Sequence, residues 1–178
     1  REGKGSIFHV EIGLSAGDVA GVAKKAADSR RVVGIEPGQP KYRVLIADDN
    51  KENRDLLAQT LGPVGFELRQ ATDGEEAIRE FQAWQPDLIL MDLRMPVMDG
   101  REATRQIKST PKGKETAIIV LTASSFEDGR KDMAAIGADG YIRKPFRESE
   151  LFENLARCLS IKYVYAEEVA NSLPQQSA

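Results

Sequence analysis

Cysteine and histidine are nearly missing from this sequence, which has one of each, Cys158 and His9. A lone cysteine excludes an internal disulfide and suits a reducing compartment. No apolar run approaches the ~20 residues of a membrane helix, and Arg1-Glu2-Gly3-Lys4 lacks the charged-then-apolar layout of a signal peptide. There is no excess of positive charge either: the net charge is -3, aromatics make up 6% of residues, and no basic stripe with interleaved aromatics occurs. The electrostatic footprint of a nucleic-acid binder is therefore missing. These absences lead us to expect a cytoplasmic location, with no nucleic-acid partner and no membrane contact by this chain. What is present, 41% hydrophobic and 30% charged residues over 178 positions, fits one globular domain with additional segments.

The most informative stretch is 87–100, DLILMDLRMPVMDG, a short apolar run that stops at Asp92 and breaks into a proline-bearing turn. A run of this kind bounded by turn signals fits a strand buried on both faces, as in the centre of a parallel sheet. Open parallel sheets hold ligands at the carboxyl ends of their strands, which makes Asp92 a site candidate.

From residue 41 the pattern alternates between strand and helix. Strands are expected at 42–47 (YRVLIA), 66–71, 88–91, 116–121 (TAIIVL) and 139–142. Helices are expected after 50, with Leu57, Leu61 and Val64 on one face, and after Thr72-Asp73-Gly74, with Ala77, Ile78, Phe81 and Trp84. A third follows Asp99 and carries Ala103 and Ile107, a fourth spans about 126–136 and ends at Gly137, and a fifth spans 148–159 with Leu151, Leu155, Cys158 and Leu159 inward. Residues 110–114 read as an exposed, turn-rich loop. Alternation of this kind demands right-handed crossovers and an α/β fold with a doubly wound five-stranded parallel sheet. The strand number favours the order 2-1-3-4-5.

That order makes strands one and three neighbours and brings Asp48 and Asp49 beside Asp92. Thr122 and Lys144 end the strands next to them. Three carboxylates in one pocket require protons or a cation to compensate their repulsion. With no histidine or cysteine to hand, an all-oxygen site suits Mg2+. Aspartate is a known covalent acceptor of phosphoryl groups, and that transfer asks mainly for positioning and charge neutralisation.

The pair Asp48-Asp49, the run Met91-Asp92-Leu93-Arg94-Met95-Pro96 with Asp99-Gly100, Leu121-Thr122-Ala123, and Tyr141 with Lys144-Pro145-Phe146 occur in one order. Over 41–160 the sequence thus resembles the receiver domain of two-component response regulators. The resemblance implies that Asp92 is the phosphoacceptor, Asp49 a direct Mg2+ ligand, Asp48 a ligand mainly through water, and the Arg94 backbone carbonyl a further contact. It implies that Thr122 and Lys144 contact the phosphoryl group, that Tyr141 swings inward as Thr122 is drawn to it, and that the Lys144-Pro145 bond is cis. No turnover is implied beyond gaining and losing the chain's own phosphoryl group.

Residues 1–14 alternate as an edge-like strand, and their GKGS followed by a phenylalanine resembles the closing strand of the ATP-binding domain of sensor histidine kinases. The glycine and asparagine boxes that hold nucleotide in that family are absent, and GKGS lacks the spacing of a phosphate-binding P-loop. His9 fits a strand face. Residues 15–40, rich in small residues and ending in Pro-Gly and a second proline, read as a linker with a short helix at 16–27. Residues 161–178 form a tail that ends in the polar run 172–178 and is too short for a DNA-binding domain. A hybrid sensor histidine kinase is the expected context. In it a histidine kinase is the phosphodonor, in cis or in trans, and a histidine phosphotransfer protein is the onward partner. The alternatives are a free-standing response regulator, an unphosphorylated docking module, and an aspartate-dependent phosphatase. The phosphatase would require an acid where Arg94 stands.

Overall fold

The computed structural model describes residues 30–123 and 135–167. Three runs set the architecture because almost nothing in them tolerates water: Val44 to Ala47, Leu88 to Met91, and Ala117 to Thr122 are buried throughout. They form the middle of a five-stranded parallel sheet built from β2 (Arg43–Ala47), β3 (Glu67–Ala71), β4 (Leu88–Asp92), β5 (Ala117–Thr122) and β6 (Gly140–Arg143), in the order β3-β2-β4-β5-β6. Numbered within the sheet, that is the expected 2-1-3-4-5. A further antiparallel pair, β1 (Val32–Ile35) and β7 (Tyr163–Tyr165), lies outside it.

Side-chain alternation along each strand feeds two separate core layers. Val44, Ile46, Leu88, Leu90, Ile119 and Leu121 join α1 (Lys51–Leu61) and α5 (Glu148–Leu159) through Leu57, Leu61, Leu151, Phe152 and Leu155. Leu45, Ala47, Ile89, Met91 and Ile118 join α2 (Gly74–Trp84) and α3 (Gly100–Lys108) through Ala77, Phe81, Ala103 and Ile107. Cys158 is half-buried against the first layer, where burial pushes its thiol pKa up. Phe152, absent from the expected stripe of α5, is among the largest fully buried side chains.

The helices begin where short polar side chains satisfy their free N–H groups. Asn50 accepts from the Glu52 N–H at 2.7 Å, Asp73 from Glu76 at 2.8 Å and Asp99 from Glu102 at 2.9 Å. Thr110 does the same for Gly113 at 2.9 Å, with Pro111 at the first helical position, so Pro111–Glu115 is a short helix, α4, rather than the loop expected there. The cap and the proline outweigh the low helix propensity of Gly113. The helix expected at 126–136 lies mostly outside the described residues. Its last residues, Ala135 and Ile136, are helical, and Gly137 follows with φ 75°.

Strands β1 and β7 revise the reading of both flanks. The end of the expected linker and the start of the expected tail pair with each other, Ile35 opposite Tyr163 and Val32 opposite Tyr165. Two strands this short do not stand alone in water; here Val32, Ile161 and Tyr163 are buried in the α1/α5 layer, and the Tyr163 ring meets Phe152 edge-on at 5.3 Å. The Gln39 side chain fastens the corner, donating to the Lys162 carbonyl at 2.7 Å and accepting from its N–H at 3.0 Å. Such pairing is invisible to periodicity because its partners stand more than a hundred residues apart. The strand and helix expected within residues 1–29 lie outside the described residues.

Two outcomes follow from this packing. Among the described residues the buried Tyr163 hydroxyl has no partner, and burial raises its pKa well above the ordinary tyrosine value. Tyr163→Phe keeps the ring contact and should raise the unfolding free energy by about 1 kcal/mol at neutral pH. A group whose folded pKa is raised loses its stabilising contribution as pH climbs from the unfolded value toward the folded one, so the wild type should weaken above about pH 10 more steeply than the variant. Denaturant titrations at neutral and alkaline pH check both. At Gly100 an added Cβ would lie 1.9 Å from the Asp92 carbonyl oxygen. Gly100→Ala should therefore cost about 2–3 kcal/mol in the same titration.

Candidate functional site

Parallel register decides which residues meet at the carboxyl edge of the sheet. Ala47 pairs with Met91, so the next residues, Asp48 and Asp92, leave their strands side by side. Asp92 in turn pairs with Leu121 and Thr122 with Arg143, which sets Lys144 just past the rim. The Lys144 N–H donates to the Thr122 carbonyl at 2.7 Å, and the Lys144-Pro145 bond is cis.

The Lys144 ammonium donates to Asp48 Oδ2 at 2.6 Å and to Asp92 Oδ2 at 2.5 Å. Burial alone would lower its pKa, but the hydrogen bonds and charges of the two carboxylates outweigh that cost, and the net direction is upward. Lys144 is therefore a cation throughout the neutral range. Asp48 is fully buried. Its Oδ1 accepts the Asn50 N–H at 2.9 Å, and the Asn53 amide donates to both carboxylate oxygens at 3.2 and 3.1 Å. Asp92 Oδ1 accepts the Arg94 N–H at 3.0 Å, folding the start of the β4–α3 loop back over the carboxylate. Asp49, by contrast, is exposed.

One oxygen from each of Asp48, Asp49 and Asp92 lies within 4.8 Å of the others. Three carboxylates against one ammonium leave a negative pocket, and an all-oxygen donor set of this size matches Mg2+. Thr122 is buried at the end of β5, while Tyr141 is partly buried one strand pair further in, opposite Val120. The sheet thus gathers Asp48, Asp49, Asp92 and Lys144 at one point and sets Thr122 at their border. Beside Lys144 opens an apolar groove of about 340 Å³ lined by Asn53, Leu56, Leu57, Pro145 and Phe146.

Two contributors, Asn53 and Arg54, escape a motif reading. They occupy the third and fourth positions of α1, which a cap at Asn50 places over the end of β2. A helix starting after Asn50 is legible in the sequence, but nothing in these two residues marks what they bond to.

Residues 44–156 match the response regulator receiver domain family. The chain is 37% identical over 119 residues to the chemotaxis protein CheY of Halobacterium salinarum, a match covering 66% of this chain and 97% of that protein. It is 32% identical to probable histidine kinase 1 of Oryza sativa subsp. indica over 69% of this chain, but that match spans only 16% of the kinase. Among solved structures, the receiver domain of the Pseudomonas aeruginosa sensor histidine kinase PA1611, with a magnesium ion in its active-site cleft, superposes with TM-score 0.63 at 33% identity. That superposition covers 68% of this chain and 99% of that domain. With the family match spanning more than half of its length, together with this sheet order and acidic cleft, the chain belongs to the response regulator receiver domain family of two-component systems.

Proposed function

We propose that the chain is a phosphoacceptor in a two-component phosphorelay, taking a phosphoryl group from a histidine kinase onto Asp92. The observation that carries this reading is the Lys144 ammonium held between Asp48 and Asp92, with Asp49 completing an acidic pocket around the same point. An Asp92 oxygen forms its bond to phosphorus as the N–P bond of the donor breaks, and the electron pair of that bond leaves on the imidazole nitrogen, which departs with a proton. Lys144 offsets charge on the transferring group, and the Thr122 hydroxyl donates to a phosphoryl oxygen. Asp49 would hold Mg2+ directly and Asp48 mainly through water, with Asp92 and the Arg94 carbonyl as further contacts. When bound, the ion supplies charge neutralisation at the phosphoryl oxygens. Phosphorylation then biases the faces around Thr122 and Lys144 between two states, a population shift that a partner can read.

The context favoured is a hybrid histidine kinase passing phosphate on to a histidine phosphotransfer protein, in the cytoplasm. Similarity to a plant histidine kinase and to the receiver of PA1611 supports it, as does the kinase-like character of residues 1–14. Among the described residues no helix is long and apolar enough to cross a membrane. In this plan residues 1–14 derive from the kinase's ATP-binding domain, 15–40 connect, 41–160 form the receiver, and 161–178 follow it. The β1–β7 pair joins the two flanks. A free-standing regulator is the second reading, favoured by the near-complete coverage of the Halobacterium protein.

Mixing the protein with a phosphorylated kinase core and Mg2+ should place base-labile label on the wild type and none on Asp92→Asn; label retained by that variant would refute the assignment. The groove beside Lys144 supplies a second test. Leu56 is 59% exposed along it, beside Lys144, and in this reading that apolar face is the one a donor domain covers. Leu56→Asp should slow transfer from a phosphorylated protein donor about tenfold, as expected for losing ~1.4 kcal/mol of apolar contact. Phosphorylation by acetyl phosphate should be unchanged.

A further inference from the structure

Arg54 meets the acid pair from behind, at the backbone. Its Nη1 donates to the Asp48 carbonyl at 2.7 Å and to the Asp49 carbonyl at 3.0 Å, while its Nε donates to Gln70 Oε1 on β3 at 3.2 Å. The two acids differ in how much else holds them. Asp48 is fixed four ways besides: its N–H donates to the Ala71 carbonyl at 3.1 Å, and its carboxylate is gripped by Lys144, Asn53 and the Asn50 N–H. Asp49 has an exposed side chain, and among the described residues nothing donates to its carboxylate. The direction in which that carboxylate points is therefore set by the main chain, and Arg54 holds the main chain there.

We infer that Arg54 is a positioning residue for the divalent-cation site, clamping the two successive carbonyls so that the side chains of Asp48 and Asp49 face the cleft. The inference rests on the reading of that cleft as a Mg2+ site. A guanidinium suits the task because one planar fork spans both carbonyls and Gln70, which an ammonium cannot do. Its effect on metal binding has two components of opposite sign. As a cation beside three acids, Arg54 disfavours a second cation, so its removal should tighten Mg2+ binding on charge alone. As a clamp it prearranges the ligands, so its loss should weaken binding, commonly by about tenfold or more when a residue supporting a metal ligand is lost.

Isothermal titration of Mg2+ into the whole chain separates the two, using wild type, Arg54→Lys, Arg54→Met and, as a charge-loss control on α2, Arg79→Met. Circular dichroism of each protein confirms folding at the titration temperature. A clamp requires Arg54→Lys, which keeps the charge and loses the fork, to bind Mg2+ about three- to tenfold more weakly than wild type. Arg54→Met, which loses the fork and the opposing charge together, should also bind more weakly than wild type but less so than Arg54→Lys, and Arg79→Met should match wild type. Unchanged affinity in Arg54→Lys, or tighter binding in Arg54→Met, would overturn the inference and leave the site itself standing. Should Arg54→Met fail to fold, Arg54→Lys alone decides the matter. A wild type that takes up no Mg2+ would overturn the metal-site reading, and this inference with it.

Discussion

A carboxylate removed entirely from water is the constraint around which this domain is arranged. Burying a lone Asp48 anion would cost several kcal/mol, so it persists only with its oxygens fully engaged. The engagement is supplied by an adjacent turn through the Asn50 N–H, by the first turn of α1 through Asn53, and by Lys144 from the far side of the sheet. Lys144 can arrive there only if β4 and β5 are in register between β2 and β6, because those two strands separate it from Asp48 in the sheet. The cleft is thus a consequence of completed folding. Even complete, its charges remain unbalanced, since one ammonium faces three carboxylates. That deficit is what makes the pocket receptive to a divalent ion and to the positive surroundings a phosphoryl group requires.

Much of this was legible in the residues. Val44 to Ala47 and Leu88 to Met91 are too uniformly apolar for a half-exposed sheet, and the five strand-helix alternations restrict the topology to few choices. Once strands one and three are neighbours, the meeting of Asp48, Asp49 and Asp92 follows from where each apolar run stops. The structure brings one oxygen of each within 4.8 Å of the others and sets Lys144 between two of them. Motif spacing could do this because it records strand ends, and strand ends are where an open parallel sheet displays its functional groups.

What escaped detection was either non-local or carried by the backbone. Val32 and Tyr163 reveal nothing of their pairing when each is viewed among its sequence neighbours, because Val32 pairs with Tyr165 and Tyr163 with Ile35, and the Tyr163 ring packs on Phe152. Helix α4 was hidden by Gly113 and by the charges of KGKE, which outweigh Thr110 and Pro111 on a composition reading although the cap decides the conformation. Arg54 was hidden for a different reason. Its partners at the site are two carbonyls, and main-chain oxygens carry no residue identity for a motif to register.

The β1–β7 pair also fixes where the described flanks lie relative to the cleft. Its strand β1 packs against the 3-10 turn Gly62–Val64, which follows the last residue of α1, whereas Asn53 and Arg54 attend the cleft from the first turns of the same helix. Eleven residues of α-helix at about 1.5 Å per residue put roughly 16 Å between the two ends. The described ends of the flanking segments therefore meet each other at the end of α1 remote from the acids. Because Ala166 donates to the Arg31 carbonyl at 3.0 Å, the polypeptide enters and leaves the domain at one place.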